Sequence, residues 1–285
     1  MKKAKGQPSG TMKTLPTRIG IGAVAAAMVV YSFFPVYWML ISGLREYDAL
    51  FSSISLVPGP FSIASYTQLL ELTDYPTWFL NSVLVATGTV VITLALAIPI
   101  SYAVTRLAIR FKVAIVGTML YAYMFPPMLL AIPLYSIFVD IGVSDTLFSL
   151  CIAHTTITLP LGVWLLWGFF KQLPFDVEEA AMVDGCTRLR AFFHVVLPLS
   201  LPGIVTVAIF SFLLSWTDYT FALVMIGSDS LKTLPAGLDT ISGWYELQWG
   251  ELMAGSTLIA LPLLVLFLFL SRYFIHGLAS GALKG

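Results

Sequence analysis

Six stretches of this chain, each about 20 or more mostly apolar residues long, limit it to one kind of fold. They cover residues 19–44, 77–104, 113–138, 146–170, 202–226 and 252–275. Lipid offers no partner to a backbone N–H or C=O, so each stretch must satisfy its own groups as an α-helix. Composition agrees: 58% of the 285 residues are hydrophobic and 11% are charged, whereas soluble domains carry about 25% charged residues. The expectation is an all-α polytopic membrane protein with six transmembrane helices over 19–275. Tails at 1–18 and 276–285 and one long loop at 171–201 remain outside the lipid.

The lysines at the start (Lys2, Lys3, Lys5, Lys13) precede an apolar run, as in a secretory signal. That run extends from Ile19 to Ser42, longer than a signal core of roughly 7 to 15 residues, so it reads as the first membrane anchor. Orientation follows from the cations. All of the 15 Lys and Arg residues except Arg45 and Lys232 fall on one side, in the two tails and the loops at 106–112 and 171–190. The other side carries Glu71, Asp74, Asp145, Asp229 and Glu251 among others. By the positive-inside rule both termini and the long loop are expected to be cytoplasmic.

Several classes of function are excluded. Lys plus Arg balance Asp plus Glu at 15 each, so there is no basic surface for nucleic acid. His154, His194 and His276 lie in separate segments without metal-ligand spacing, and Cys151 and Cys186 form no CxxC pair. No metal or bound cofactor is expected. No Ser-His-Asp grouping, HExxH or paired carboxylate marks an enzyme. The stretch "GSDSLKT" at 227–233 ends like a phosphate-binding loop but has Leu231 where glycine must precede the lysine. Any ATP hydrolysis therefore belongs to another chain.

The long loop has a helical grammar of its own. Pro174 suits a helix start, Asp176, Glu178 and Glu179 complement the positive end of a helix dipole, and Gly185 is a natural stop. Val177, Ala180, Ala181 and Asp184 share one small-residue face, and residues 187–196 form a second helix carrying Arg188 and Arg190 before Pro198 and Pro202 return the chain to the membrane. Helix connections in bundles usually need 2 to 8 residues. The excess favours a docking surface, although a plain tether stays open.

The stretch "EAAMVDGCTRLRAFFHVVLP" resembles the EAA motif of binding-protein-dependent ABC importers. Glu179, Ala180, Ala181, Gly185, Leu197 and Pro198 match it, and Val195 stands where the family usually has Ile. "NSVLVA" from Asn81, "IPLYSIF" from Ile132 and "GLASGALKG" near the end are similar to the carbohydrate subfamily, on the side of the smaller permease of maltose-type systems. The resemblance implies a second homologous permease, two copies of an ABC ATPase that use ATP and Mg, and an extracytoplasmic solute-binding protein. It also implies that the loop docks on the ATPase through Glu178, Glu179, Ala180, Ala181, Asp184, Gly185, Arg188, Val195, Leu197 and Pro198. The expected cargo is a sugar, a disaccharide or oligosaccharide.

Asp218 is the one acidic residue deep in a span. A carboxylate in hydrocarbon needs a partner or a wet cavity, so it is expected to face the path. Trp216 and Tyr219 beside it have the chemistry to stack on sugar rings, and Asn81 sits at the outer end of the second span. Interhelical packing is the alternative for all four, and "SWTDYTFAL" departs from the Trp-Asn-acid-aromatic pattern of the subfamily. A rival class is an ion-coupled secondary transporter with Asp218 as its ion site, but it would be expected to show repeated halves and several intramembrane charges.

Overall fold

A computed structural model describes residues 15–46, 56, 59, 61–242 and 249–282. Lys2, Lys3, Lys5, Lys13, Asp48, Glu246 and Lys284, which entered the charge count, lie outside the described residues. Four helices are each long and apolar enough to cross a membrane. They are α1 (Leu15–Gly43), α3 (Tyr75–Arg106), α6 (Leu147–Gln172) and the last helix, α12 (Trp249–Ala282). Two bent pairs bring the spans to six, with each pair taken as one crossing. Among the described residues there is no β-strand, only an isolated bridge between Arg45 and Phe61.

The first bent pair is α4 (Lys112–Tyr123) and α5 (Pro127–Asp140), which meet at 94°. The sequence suggested one span over 113–138; the structure breaks it at Pro126 and Pro127. A residue before proline is pushed out of the α region, and Pro126 accordingly sits at φ −60°, ψ 126° ahead of Pro127. Neither proline has an N–H to continue the ladder of α4, so the helix stops and α5 restarts with Pro127 in its first turn.

The second pair lies at the return from the long loop into the bundle. After α7 (Phe175–Val183) the chain forms α8 (Arg188–Leu199), bent by 71° against α9 (Leu201–Trp216). The middle of α8, Phe192–Val196, is wound as a π-turn, with the Leu197 N–H bonded back to the Phe192 carbonyl. It precedes Pro198, whose missing donor would break an α register at this point. The fifth span likewise does not run unbroken to 226. It ends at Trp216, and a short helix, α10 (Thr220–Met225), resumes after Thr217, Asp218 and Tyr219.

Three short helices complete the fold: α2 (Ala64–Leu72), α10, and α11 (Leu234–Ser242), with α2 and α11 near the outer ends of α3 and α12. The centre of the bundle is the packing of α3 on α6, with α9 across both. Lipid tails do not drive helices together as water does, so contact relies on small residues and buried hydrogen bonds. Gly162 shows the closeness: a Cβ there would lie 3.0 Å from Val207 Cγ1 and 3.3 Å from Thr93 Cγ2. Thr93 and Thr158 hydroxyls meet at 2.6 Å, and Ser101 Oγ donates to the Val163 carbonyl at 3.1 Å. These contacts hold α3 and α6 as one unit on which both candidate sites are mounted.

Candidate functional site

The long loop forms a helical hairpin anchored on its inner face. Glu178, in the first turn of α7, turns inward rather than outward and is buried. Its Oε2 lies 3.2 Å from Arg106 Nε, and the two side chains are 5% and 2% exposed. Tyr102 donates its hydroxyl to Glu178 Oε1 and packs its ring on Phe192, with centroids 4.6 Å apart. Arg106 also donates through Nη2 to the Leu173 carbonyl at 3.1 Å, and its guanidinium stands 4.1 Å from the Phe175 ring centre. One residue at the last turn of α3 thus fixes the end of α6, the start of α7 and the carboxylate of Glu178. Removing one partner of such a buried pair typically costs about 3–5 kcal/mol, since the other charge is left uncompensated.

Glu178 is therefore corrected from a docking contact to an anchor. Neither Arg106 nor Tyr102 was singled out from sequence. The available signal was the helical period: residue 178 shares its side of the helix with Ala181 and Met182, both half-buried, and not with the exposed Ala180 and Asp184.

The opposite face is open. Glu179, Ala180, Asp184, Gly185 and Arg188 are exposed and Ala181 is half-buried, while Val183 and Leu189 stand 87% and 68% exposed. Gly185 has φ +91°, and the Cys186 N–H bonds to the Ala181 carbonyl while its own N–H bonds to the Met182 carbonyl. Those two bonds cap the last carbonyls of α7, and the left-handed turn they require favours glycine. Val195 and Leu197 are half-buried in α8, Leu197 against the inner core, and Pro198 is exposed. They shape the return to the membrane rather than the open face.

A second site lies within the spans. The elbow at Tyr123–Pro127 and the break at Thr217–Tyr219 face one another across a cavity of about 460 Å³, which Thr158 and His154 of α6 also line. Asp218 Oδ2 accepts from the N–H groups of Phe221 at 3.0 Å and Ala222 at 3.3 Å, which restarts the chain as α10. The same oxygen lies 3.1 Å from His154 Nε2, and His154 Nδ1 lies 2.7 Å from Ser215 Oγ. Ser215 in turn donates to Thr89 Oγ1 at 3.3 Å, so a polar chain crosses α3, α6 and α9 to reach Asp218.

The four residues expected on the path separate here. Asp218 and Tyr219 line the cavity, and the Tyr219 hydroxyl donates to Asp239 Oδ2 at 2.9 Å. Trp216 does not reach it: it is 1% exposed, stacked on Phe212 and edge-on to Phe79, with its N–H donated to the Ile259 carbonyl. Asn81 is also elsewhere, holding the outer loop through bonds to the Ser230 and Lys232 carbonyls at 2.9 Å each. His154 was missed because histidines were compared only with one another for metal spacing. A histidine within a span was itself the signal.

A broken-helix bundle with an internal cavity and an anchored helical hairpin between its fourth and fifth spans has the architecture of a membrane permease. The chain belongs to the family described as the binding-protein-dependent transport system inner membrane component, whose model matches residues 95–280. It is 33% identical to the diacetylchitobiose uptake system permease protein DasC of Streptomyces coelicolor, over 96% of this chain and 99% of that one. It is 31% identical to the trehalose/maltose transport system permease protein MalG of Thermococcus litoralis, over 93% and 95%. Among solved structures it resembles a bacterial ABC transporter involved in import of the acidic polysaccharide alginate, with a TM-score of 0.80, 18% identity and coverage of 92% and 99%. That last likeness is one of fold.

The chain is thus a multi-pass inner-membrane permease subunit of an ABC importer and not an enzyme; in this family separate subunits hydrolyse ATP. Importers of this kind work in general with a partner permease, an ATPase and a binding protein. The ion-coupled alternative for Asp218 finds no support in fold or family.

Proposed function

We propose that the chain forms, with a second permease, the path for a sugar delivered by an extracytoplasmic solute-binding protein. Two relatives are named for disaccharides, which supports a cargo of that size. In this reading the open face of α7 and α8 seats in a cleft of an ABC ATPase that holds ATP and Mg, with both termini on the same cytoplasmic side. Closure of two such ATPases on ATP moves the hairpin, and the Arg106–Glu178 anchor passes that movement into α3 and α6, to which the cavity is attached. Asp218 and Tyr219 face the cargo. The cytoplasmic positive charge at Arg110, Lys112, Lys171, Arg188 and Arg190 supports the orientation.

The observation that carries the reading is the hairpin itself: fixed on one face by a buried ion pair, and uncovered on the other where the small residues lie. The test is Gly185→Val beside Glu179→Lys in the assembled importer. Valine meets no neighbour at position 185, but φ +91° strains it by about 1–2 kcal/mol and so displaces the end of α7. Lysine at 179 reverses charge on the open face. Both variants are expected to reach the membrane at normal abundance and to lose ATPase copurification or sugar uptake. Wild-type uptake and sugar-stimulated ATPase in both would reduce the hairpin to a tether.

A further inference from the structure

We infer that the cavity is a charge filter: it admits neutral polyhydroxyl solutes and rejects anionic ones, with Asp218 as the discriminating residue and His154 as its positioning residue. The inference rests on the proposed reading of the cavity as the cargo path. It names the chemical class that path accepts.

The lining carries one carboxylate and no Lys or Arg. Its one imidazole is committed, since His154 Nε2 meets Asp218 and Nδ1 meets Ser215. A second carboxylate, Asp239, sits behind the lining at the Tyr219 hydroxyl. Three of the cavity hydroxyls are also tied to the protein: Thr158 to Thr93, Thr217 to the Leu213 carbonyl, and Tyr219 to Asp239.

Asp218 differs from these. Its Oδ2 takes all three donors, His154 Nε2 and the two backbone N–H groups, leaving Oδ1 outside that set on a side chain that lines the cavity at 12% exposure. An acceptor held in place with capacity to spare recognises a hydroxyl donor. A phosphate, sulfonate or carboxylate brought to the same point meets like charge where protein and lipid screen poorly. The surrounding Met124, Phe125 and Pro126 provide apolar surface for the C–H faces of a sugar ring.

The test uses the importer complex in lipid nanodiscs and equilibrium binding of trehalose, maltose and diacetylchitobiose, each beside a phosphorylated or carboxylated counterpart. Binding is placed in the cavity by protection of a cysteine label at Thr217→Cys. The wild type is expected to bind at least one neutral sugar at least tenfold more tightly than its anionic counterpart. Asp218→Asn should bring that ratio to within about twofold, and His154→Gln should weaken the neutral sugar while preserving rejection of the anion. If cavity binding is found without charge discrimination, or Asp218→Asn keeps the wild-type ratio, the filter is overturned while the path reading stands. If no sugar protects the label, the path reading falls and the filter falls with it. Should Asp218→Asn fail to fold, the wild-type ratio alone decides.

Discussion

Arg106 Nε and Glu178 Oε2 lie 3.2 Å apart beneath the α7–α8 hairpin, joining the last turn of α3 to the first turn of α7 with almost no exposure to solvent. The pair spans 72 positions of sequence and makes the hairpin an extension of the bundle rather than a free loop. Arg106 also stands at a helix C-terminus and Glu178 in a helix first turn, the ends at which a cation and an anion respectively complement the helix dipole.

Removing one member should therefore cost more than removing both. Arg106→Met is expected to lower stability by about 3–5 kcal/mol, and the double variant Arg106→Met, Glu178→Gln to recover a large part of that loss. Thermal unfolding of the purified complex, read alongside ATPase copurification, checks this. Additive losses in the double variant would mean that the two charges do not interact.

Gly237, in α11, lies against the Trp78 ring so closely that an added Cβ would sit 2.1 Å from Trp78 Cδ2. Trp78 is 5% exposed within the outer core beside Leu69 and Trp216. Gly237→Ala must displace the indole, an overpacking change of about 1–3 kcal/mol. A lowered midpoint and an altered near-ultraviolet tryptophan signal are the expected result. An unchanged spectrum would show that α11 is not seated on α3 as described.

On the outer side, Asp145 accepts from the Ser228 hydroxyl, the Ser228 N–H at 3.1 Å and the Gly227 N–H at 2.9 Å. The Ser228 bonds, side chain first, hold its carboxyl below the ordinary carboxylate value despite some burial. A depressed folded value stabilises the ionised form. The contribution is complete above the unfolded value of about 3.9 and is lost as pH falls through the lower folded value. The protection factors of the 227 and 228 amides, with the intrinsic base-catalysed exchange divided out, should thus be flat from pH 8 to 5 and fall only in stronger acid. Asp145→Asn, which tolerates the φ of +54° at this position, should abolish that acid step. Loss of protection near neutral pH in the wild type would refute the assignment.

Arg188 and Asp239 are both exposed, on the cytoplasmic hairpin and the outer helix α11 respectively. A single cysteine at 188 should react with an impermeant thiol reagent only from the cytoplasmic side, and one at 239 only from outside, in a chain whose native cysteines are replaced. Labelling of both from one side would contradict the six-span path.

Much of the fold was legible before any coordinates. Runs of some 20 apolar residues admit only helices in lipid, and the hairpin announced itself through Pro174, its acidic first turn and Gly185. These are local signals, carried by composition and short-range pattern. What sequence periodicity did not reveal was which interruptions are kinks and which are breaks. Pro35 and Pro262 lie inside continuous helices, whereas Pro126 followed by Pro127 ends one helix and starts another. Two adjacent residues without donors, the first barred from the α region by the second, separate those cases.

The sites divide in the same way. The open face of α7 follows from a 3.6-residue period within one segment, so Ala180, Ala181, Asp184 and Gly185 were readable from spacing alone. The inward role of Glu178, the packing role of Trp216 and the tie of Asn81 to the loop at 230–232 depend on partners 43 to 149 positions away: Arg106, Ile259, Phe79 and Ser230. The pairing of His154 with Asp218 likewise arises only once α6 and α9 cross. Lipid dictated that every span be a helix, and the chain alone could state it. Which polar side chain meets which inside the bundle was settled by the crossing of α3, α6 and α9, because a buried charge takes its meaning from the group that neutralises it.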